Sequence, residues 1–272
     1  MKVQLSGRLG NQLFEIAHGF ARSEEISKSP EFIWDIYSYP EGLSRDVLDI
    51  PGIKLQQDNK YGLLLKSLDK IRRYSTNTEE VLCKFLRIER EHNSDRFSHP
   101  TVITGYFQDF RWAEMSYLKL NELLTSMSLT KRYPESDSNI PDSYQVFHYR
   151  CGDYLNHQAN FGVLSREYYL RNMLQGLPVV VVTDSLERAI ENFGSIKNVQ
   201  FIDPSKSSAW HAITIISRAA YVVSSNSTLS WWGAFFASKS GGTAVIPKPF
   251  FANENAVNLY YPEFKTAQAH FD

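Results

Sequence analysis

The sequence predicts an α/β protein built on parallel, doubly wound sheets, and three observations carry that prediction. Short apolar runs rich in β-branched residues, at 179–183, 199–202, 221–223 and 244–246, alternate with segments of helical apolar spacing at 185–192, 208–218 and 228–237. The opening of the chain repeats the pattern: a run at 3–5, a glycine turn, then Leu13, Phe14, Ala17 and Phe20 spaced as on one helix face. The 272 residues are 43% hydrophobic, with 17 Phe, 15 Tyr and 5 Trp, enough to bury a sizeable core and to exclude disorder over most of the length.

Taken in order, the first half holds predicted strands at 3–5, 31–34 and 101–104 and a helix after the glycine turn. Residues 52–98 are charged and are read as helical in part. The segment 131–142, KRYPESDSNIPD, is polar with two prolines and predicts a linker, so the domains are expected at 1–135 and 143–272. The second half has strands at 144–148, 179–183, 199–202, 221–223 and 244–246, the last strand. Its helices are expected at 165–174, 185–192, 208–218 and 228–237. Ligands of such sheets bind beyond the carboxyl ends of the strands.

Twenty-nine basic residues against 30 acidic ones give a formal charge of −1. Net charge therefore draws no polyanion, which argues against a dedicated nucleic-acid binder and leaves any phosphate to a local site. Two cysteines, Cys83 and Cys151, make no disulfide framework, and no Cys/His cluster with zinc spacing is present. The chain opens Met1-Lys2-Val3-Gln4-Leu5 and reaches Gly7 without a long apolar segment, and no run approaches the roughly 20 residues that span a bilayer. A reducing, cytoplasmic location is expected.

Four motifs fall where strands run out into loops. Gly7-Arg8-Leu9-Gly10-Asn11-Gln12 lies between the first strand and first helix, where glycines permit close backbone approach and the helix N-terminus is an anion site. An ordinary βα turn explains it equally well, and its spacing is not the GxGxxG of dinucleotide folds. In His148-Tyr149-Arg150-Cys151-Gly152-Asp153-Tyr154, the guanidinium of Arg150 offers a planar fork that fits two phosphate oxygens. Asp153 would orient that arginine or act as a base; the plain alternative is a surface ion pair. Ser224-Ser225-Asn226-Ser227-Thr228-Leu229-Ser230 enters a helix. Five small hydroxyl residues and one amide there form a metal-free phosphate cradle or a well-capped helix. Trp231 and Trp232 are read as packing that helix. Val181-Val182-Thr183-Asp184 ends in a polar pair suited to a ribose or base, or to capping the next helix.

These blocks resemble those of the α-1,2-fucosyltransferases, glycosyltransferase family 11. GRLGNQLFEIAHGFAR is similar to their GxLGNQxFxxA block, HYRCGDY to HxRRGDY, and SSNSTLSWWGAFFA to SNSTFSWWGAWL. VVTDSLERA is similar to the FSDD segment, and Thr104-Gly105-Tyr106-Phe107-Gln108 contains the GYFQ segment. All five occur in the family's order and span nearly the whole chain.

The resemblance implies an inverting, metal-independent glycosyltransferase of the GT-B type, with two Rossmann-like domains facing across a cleft and no cofactor beyond a GDP-sugar donor. The first domain would take the acceptor and the second the GDP-sugar. Arg150 would grip the β-phosphate of departing GDP, with His148 near the nucleotide and Ser225, Asn226, Ser227 and Thr228 lining the diphosphate. Gly10 and Asn11 would reach the donor from the first domain, and Asp184 would help hold the nucleoside. The implied reaction moves L-fucose, or a related GDP-6-deoxyhexose, to O-2 of a β-galactoside in an oligosaccharide acceptor such as bacterial O-antigen. Such an enzyme would meet a membrane at most peripherally, at its inner face, through a lipid-linked acceptor.

Two positions depart from the family pattern. Cys151 replaces the second arginine, expected to leave the leaving-group site one positive charge short, and Ala212, beside His211, stands where an acidic residue is usual. The donor could therefore be the 3-deoxy analogue colitose, or the chain could be a non-catalytic sugar-nucleotide-binding module. A nicotinamide oxidoreductase would leave Arg150 and the serine-rich block unexplained. Asp153, Glu15 and His18 are the candidates for the base that deprotonates the acceptor hydroxyl.

Overall fold

The computed structural model describes residues 1–38, 53, 55–93, 95–130, 140–253 and 256–272, so the predicted linker 131–142 lies outside them except for its last three positions. The chain divides into two compact units, Met1–Ser126 and Met127–Asp272.

In the first unit the order is β1 (Lys2–Gln4), α1 (Leu9–Ile26), β2 (Glu31–Trp34), β3 (Leu55–Gln57), α2 (Asn59–Tyr74), α3 (Thr76–Leu86), β4 (Ile88–Arg90), β5 (Val102–Thr104), α4 (Phe110–Met115) and α5, which begins here and runs over Tyr117–Thr130. The strands pair in parallel in the order β3-β2-β1-β5-β4. Alternation along each short strand sorts the core into two layers. Ile33, Ile88 and Val102 pack with Leu65 and Leu68 of α2 and Cys83 of α3. On the other face, Gly19 of α1 lies over Val3 and Phe32. The ambiguous charged region thus contains a helical hairpin between two strands. Asp58 caps α2 through the Tyr61 N–H, and Ser75 caps α3 through that of Thr78.

The second unit runs β6 (Gln145–Tyr149), a 3₁₀ turn (Asp153–His157), α6 (Arg166–Arg171), β7 (Val179–Thr183), α7 (Leu186–Phe193), β8 (Val199–Ile202), α8 (Ala209–Ser217), β9 (Tyr221–Val223), α9 (Thr228–Lys239), β10 (Thr243–Lys248), a second 3₁₀ turn (Val257–Leu259) and β11 (Lys265–Gln268). Its six strands are parallel in the order β11-β10-β9-β6-β7-β8. The chain winds from β6 outward through β7 and β8, then returns to the other side of β6 with β9. That reversal is the topological switch point of a doubly wound sheet.

The sequence predicts its last strand at 244–246; these residues lie in β10, and the sheet continues past them with one more strand. The last strand is β11, whose Lys-Thr-Ala-Gln is exposed or half-buried at an edge, so burial imposes no apolar signature on it. One layer of the core joins Phe147, Val181, Val223 and Val245 of the sheet to Tyr168 and Tyr169 of α6 and Phe193 of α7. Trp231 and Trp232 are fully buried, as expected of helix-packing residues, and Trp231 Nε1 donates to the Leu259 carbonyl at 2.7 Å. No helix among the described residues is long and apolar enough to cross a membrane.

Candidate active site

Three motif loops of the second unit leave the carboxyl ends of adjacent strands. Arg150 follows β6, Asp184 follows β7, and Ser224 to Thr228 follow β9. Side chains separated by tens of residues in sequence therefore meet around the switch point. His148 Nδ1 lies 2.7 Å from Ser225 Oγ and bridges β6 to the β9 loop. Burial, with the Arg150 charge adding to it, lowers the His148 pKa to about 4, so the ring is neutral at physiological pH.

Arg150 is held from two sides: Nη2 is 2.5 Å from Asp153 Oδ1, and Nη1 is 2.9 Å from Asp184 Oδ2. Its guanidinium also lies 5.5 Å from the Tyr154 ring centre. Asp184 does more than pair with it, because Oδ1 accepts the N–H groups of Cys151 at 3.0 Å and Gly152 at 3.3 Å. A Cβ on Gly152 would stand 2.4 Å from Asp184 Oδ2, so only glycine lets this loop close over the carboxylate. The Asp184 carboxylate thus fixes the arginine loop.

The serine-rich loop is ordered from within. Ser230 Oγ lies 2.8 Å from Ser224 Oγ and accepts from Ser225 N at 3.2 Å. Asn226 is fully buried and its amide donates to the carbonyls of Phe161 at 2.7 Å and Gly162 at 3.0 Å. Its donors therefore clamp a neighbouring loop. Ser227 makes no side-chain cap to α9, and the helix carries no acidic residue in its first turn. The positive end of that dipole lies at Thr228, beside the loop.

Three tyrosines that sequence reasoning passed over hold this arrangement. Tyr154 OH donates to the Asn226 carbonyl at 3.1 Å, tying the arginine loop to the serine loop. Adjacent residues Tyr168 and Tyr169 donate to the carbonyls of Ser224 at 3.0 Å and His148 at 2.8 Å. Their only sequence signal is a Tyr-Tyr pair in a short helix, which reads as core.

Cys151 requires a correction. Phe147, Tyr149 and Cys151 alternate onto the core face while His148 and Arg150 take the other, and Cys151 is fully buried in the apolar cluster. Its thiol sits against the Tyr149 and Ser185 hydroxyls, and burial raises its pKa. The side chain therefore does not line the site around Arg150, and the expected gap in charge at that site is not where this residue points.

The first unit presents a different site at its own switch point, between β1 and β5. Gln108 Nε2 donates to Asn11 Oδ1 at 3.1 Å, so the GYFQ segment and the Gly-rich loop, including Gly10 in the first turn of α1, form one structure. Beside it lies a cavity of about 440 Å³ bordered by Gln4, Asp35, Tyr37, Glu91, Thr104 and Tyr106. Asp35 accepts from Gln4 Nε2 at 2.8 Å and from the N–H groups of Tyr37 and Ser38, both at 2.9 Å. Tyr37 and Tyr106 remain exposed at 39% and 42%.

Two candidates for the acceptor base are removed. Glu15 is fully buried, accepts from Ser6 N at 2.8 Å and Oγ at 2.6 Å, and has its pKa raised well above the usual range by burial. His18 is also fully buried, stacked 3.8 Å from Phe107, with a pKa lowered to about 3 by burial and the charges of Arg96 and Arg22. Neither side chain is accessible to a sugar hydroxyl. His211, beside Ala212, is buried with Nδ1 3.0 Å from Ser207 Oγ. Among the described residues no group of three or more His, Cys, Asp or Glu is placed to hold a metal ion.

The family model for glycosyl transferase family 11 matches residues 1–265. The chain belongs to that family. As a family 11 protein it is 25% identical to an α-1,2-colitosyltransferase of Escherichia coli, over 96% of this chain and 95% of that one. It is 31% identical to the O-antigen biosynthesis glycosyltransferase WbnK of Escherichia coli, over 41% and 40% of the two chains. Among solved structures it is similar to the fucosyltransferase NodZ from Bradyrhizobium, with a TM-score of 0.47 and 11% identity over 85% of this chain and 90% of that one.

Proposed function

We propose that this family 11 glycosyltransferase moves a 6-deoxyhexose, colitose or L-fucose, from its GDP donor to O-2 of a β-galactoside in an O-antigen-type glycan, with inversion and without a metal. The observation that carries the reading is the convergence of Arg150, neutral His148 and the α9 N-terminus at the switch point of the second unit. It supplies a fork, a neutral polar face and a dipole, which is what a diphosphate leaving group requires. Similarity to an α-1,2-colitosyltransferase supports the α-1,2 linkage and the choice of colitose as a donor sugar alongside fucose.

In the step itself, the acceptor oxygen bonds to the anomeric carbon as the bond from that carbon to the β-phosphate oxygen breaks. Charge accumulates on the diphosphate, where Arg150, Ser227 and the α9 dipole would stabilise it more than they stabilise the ground state. Asp184 fixes Arg150. Asp153, 40% exposed, is the partner that a diphosphate would displace, after which its carboxylate is available to take the acceptor proton. The acceptor belongs, in this reading, to the cavity of the first unit, where exposed Tyr106 and fixed carboxylates offer a stacking face and acceptors for a polyol. A lipid-linked acceptor would bring the enzyme to the inner face of the membrane.

The test is incubation of the protein with GDP-colitose, GDP-fucose and other GDP-sugars, together with β-galactoside acceptors. GDP release with one glycoside of inverted anomeric configuration, unchanged by EDTA, supports the reading. Donor binding without product reduces the protein to a binding module. A strict requirement for added magnesium or manganese overturns the metal-free leaving-group assignment.

A further inference from the structure

The α2–α3 hairpin carries features that glycosyl transfer does not use. Its inner faces are committed to the core through Leu65, Leu68 and Cys83. The reverse faces leave large apolar side chains in water: Phe85 and Tyr74 are each 84% exposed, Val81 65% and Leu63 53%. Val81 and Phe85 are one turn apart on α3, and Leu63 and Tyr74 lie three turns apart on one stripe of α2. A soluble surface does not ordinarily hold two aromatic rings so fully exposed on one hairpin.

The same hairpin is basic. Residues 59–87 contain seven Lys and Arg against three Asp and Glu, whereas the whole chain has 29 against 30, so the remainder is acidic. Of the three acids, Glu79 is buried and pairs with Arg90, and Asp69 also pairs with Arg90 outside the segment. Lys70, Arg72 and Arg73 are exposed beside Tyr74, and Lys84 is exposed beside Phe85.

We propose that this face of the α2–α3 hairpin docks on an anionic lipid bilayer, with Phe85, Val81 and Tyr74 entering the headgroup region. Lys70, beside the Leu63–Tyr74 stripe, and Arg73, at its flank, would meet lipid phosphates. Charge complementarity selects the occupant: protruding rings among cations match a soft apolar phase beneath a negative surface. Long cationic side chains can lie along that boundary with their heads in the phosphate layer. The inference goes beyond the functional reading above, in which the membrane enters only through the lipid of an acceptor. Here the chain's own surface binds, and lipids without any glycan suffice to test it.

The experiment is co-sedimentation of the full chain with vesicles of phosphatidylglycerol and phosphatidylethanolamine, and separately of phosphatidylcholine alone, at rising NaCl. Binding is expected only to the anionic vesicles and should weaken as salt screens it. Lys70→Gln/Arg73→Gln should lower partitioning about 25-fold, at roughly fivefold per cation. Phe85→Ser should lower it at constant charge. Unchanged thermal unfolding and GDP-sugar binding would show that the variants remain folded. Equal binding to phosphatidylcholine, no binding to anionic vesicles at low salt, or indifference to both variants overturns the proposal. So does a dimer in sedimentation equilibrium that Phe85→Ser dissolves while the wild type ignores vesicles, since a second copy would then cover the face.

Discussion

The two units place the carboxyl ends of parallel strands around a switch point, yet they gather different side chains there. In the second unit, β6, β7 and β9 deliver a guanidinium paired with two carboxylates, a neutral imidazole, hydroxyls and a helix N-terminus. In the first, β1, β2, β4 and β5 deliver carboxylates, amides and two exposed tyrosines. The cations near that cavity are engaged, Arg90 with Asp69 and Glu79 and Lys66 over the Tyr37 ring. Topology decides where a ligand can sit, and the few residues after each strand decide its charge. On the proposed reading, the second unit takes the anionic leaving group and the first the neutral polyol.

The sharpest way to break this contrast is Arg150→Ala. Loss of a preorganised cation at the leaving group should lower kcat/KM by ~10²–10³-fold, and Arg150→Lys should also fall steeply because the fork is lost. Near-normal transfer by folded Arg150→Ala would show that the second unit does not host the diphosphate.

Acid titration compares the buried histidines of the two units. His148, with its pKa lowered to about 4, binds its proton less readily folded than unfolded, where the ordinary value is 6.5. Its contribution is therefore intact above pH 6.5 and is lost as pH falls through about 4, a cost of about 3 kcal/mol. His18 works in the same direction in the first unit, over a window reaching down to about pH 3. Urea unfolding from pH 7 to pH 4 should show falling stability, with a shallower fall in His148→Asn; an identical slope would remove His148 as a cause.

Asp184→Asn removes the charge that orients Arg150 and holds two loop N–H groups. Hydrogen bonds to charged groups are worth about 1.5–3 kcal/mol, so turnover should drop by about 10–100-fold while the fold remains. If Asp184 instead touches only the nucleoside, the loss will appear in donor KM with kcat preserved.

Tyr106→Ala sharpens the other half of the comparison. An aromatic face is worth about 0.5–1.5 kcal/mol, so acceptor KM should rise about 2–10-fold with donor KM unmoved. A change in donor KM alone would assign the first-unit cavity to the donor. The smallest effect is expected for Cys151→Ser, whose kcat/KM should stay within about threefold of wild type, since a buried, protonated thiol among hydroxyls has no chemical task. Complete loss of turnover in the folded serine variant would contradict that.

How much of this was legible in the sequence follows from which residues carry local signals. The strands at 179–183, 199–202 and 221–223 and the helices between them are continuous apolar patterns, because burial on both faces of a parallel sheet writes itself into composition. β11 was not legible, since an edge strand can be polar. The α2–α3 hairpin was legible only as a charged stretch, because its inward face carries few residues and its outward face is mixed.

By itself the sequence determined the α/β class, the five motif blocks and Arg150 as the cation at a strand end. These are local properties: propensity, periodicity and residue type at a turn. Only the tertiary structure decided that β9 returns beside β6, which brings Ser225 to His148 across 77 residues. It also decided that Asp184 serves the arginine loop, that Glu15 and His18 are sealed in the core, and that Cys151 faces away from Arg150. Those outcomes depend on strand order, on the period-two alternation at the end of β6 and on burial. None of these is a property of any one segment of chain.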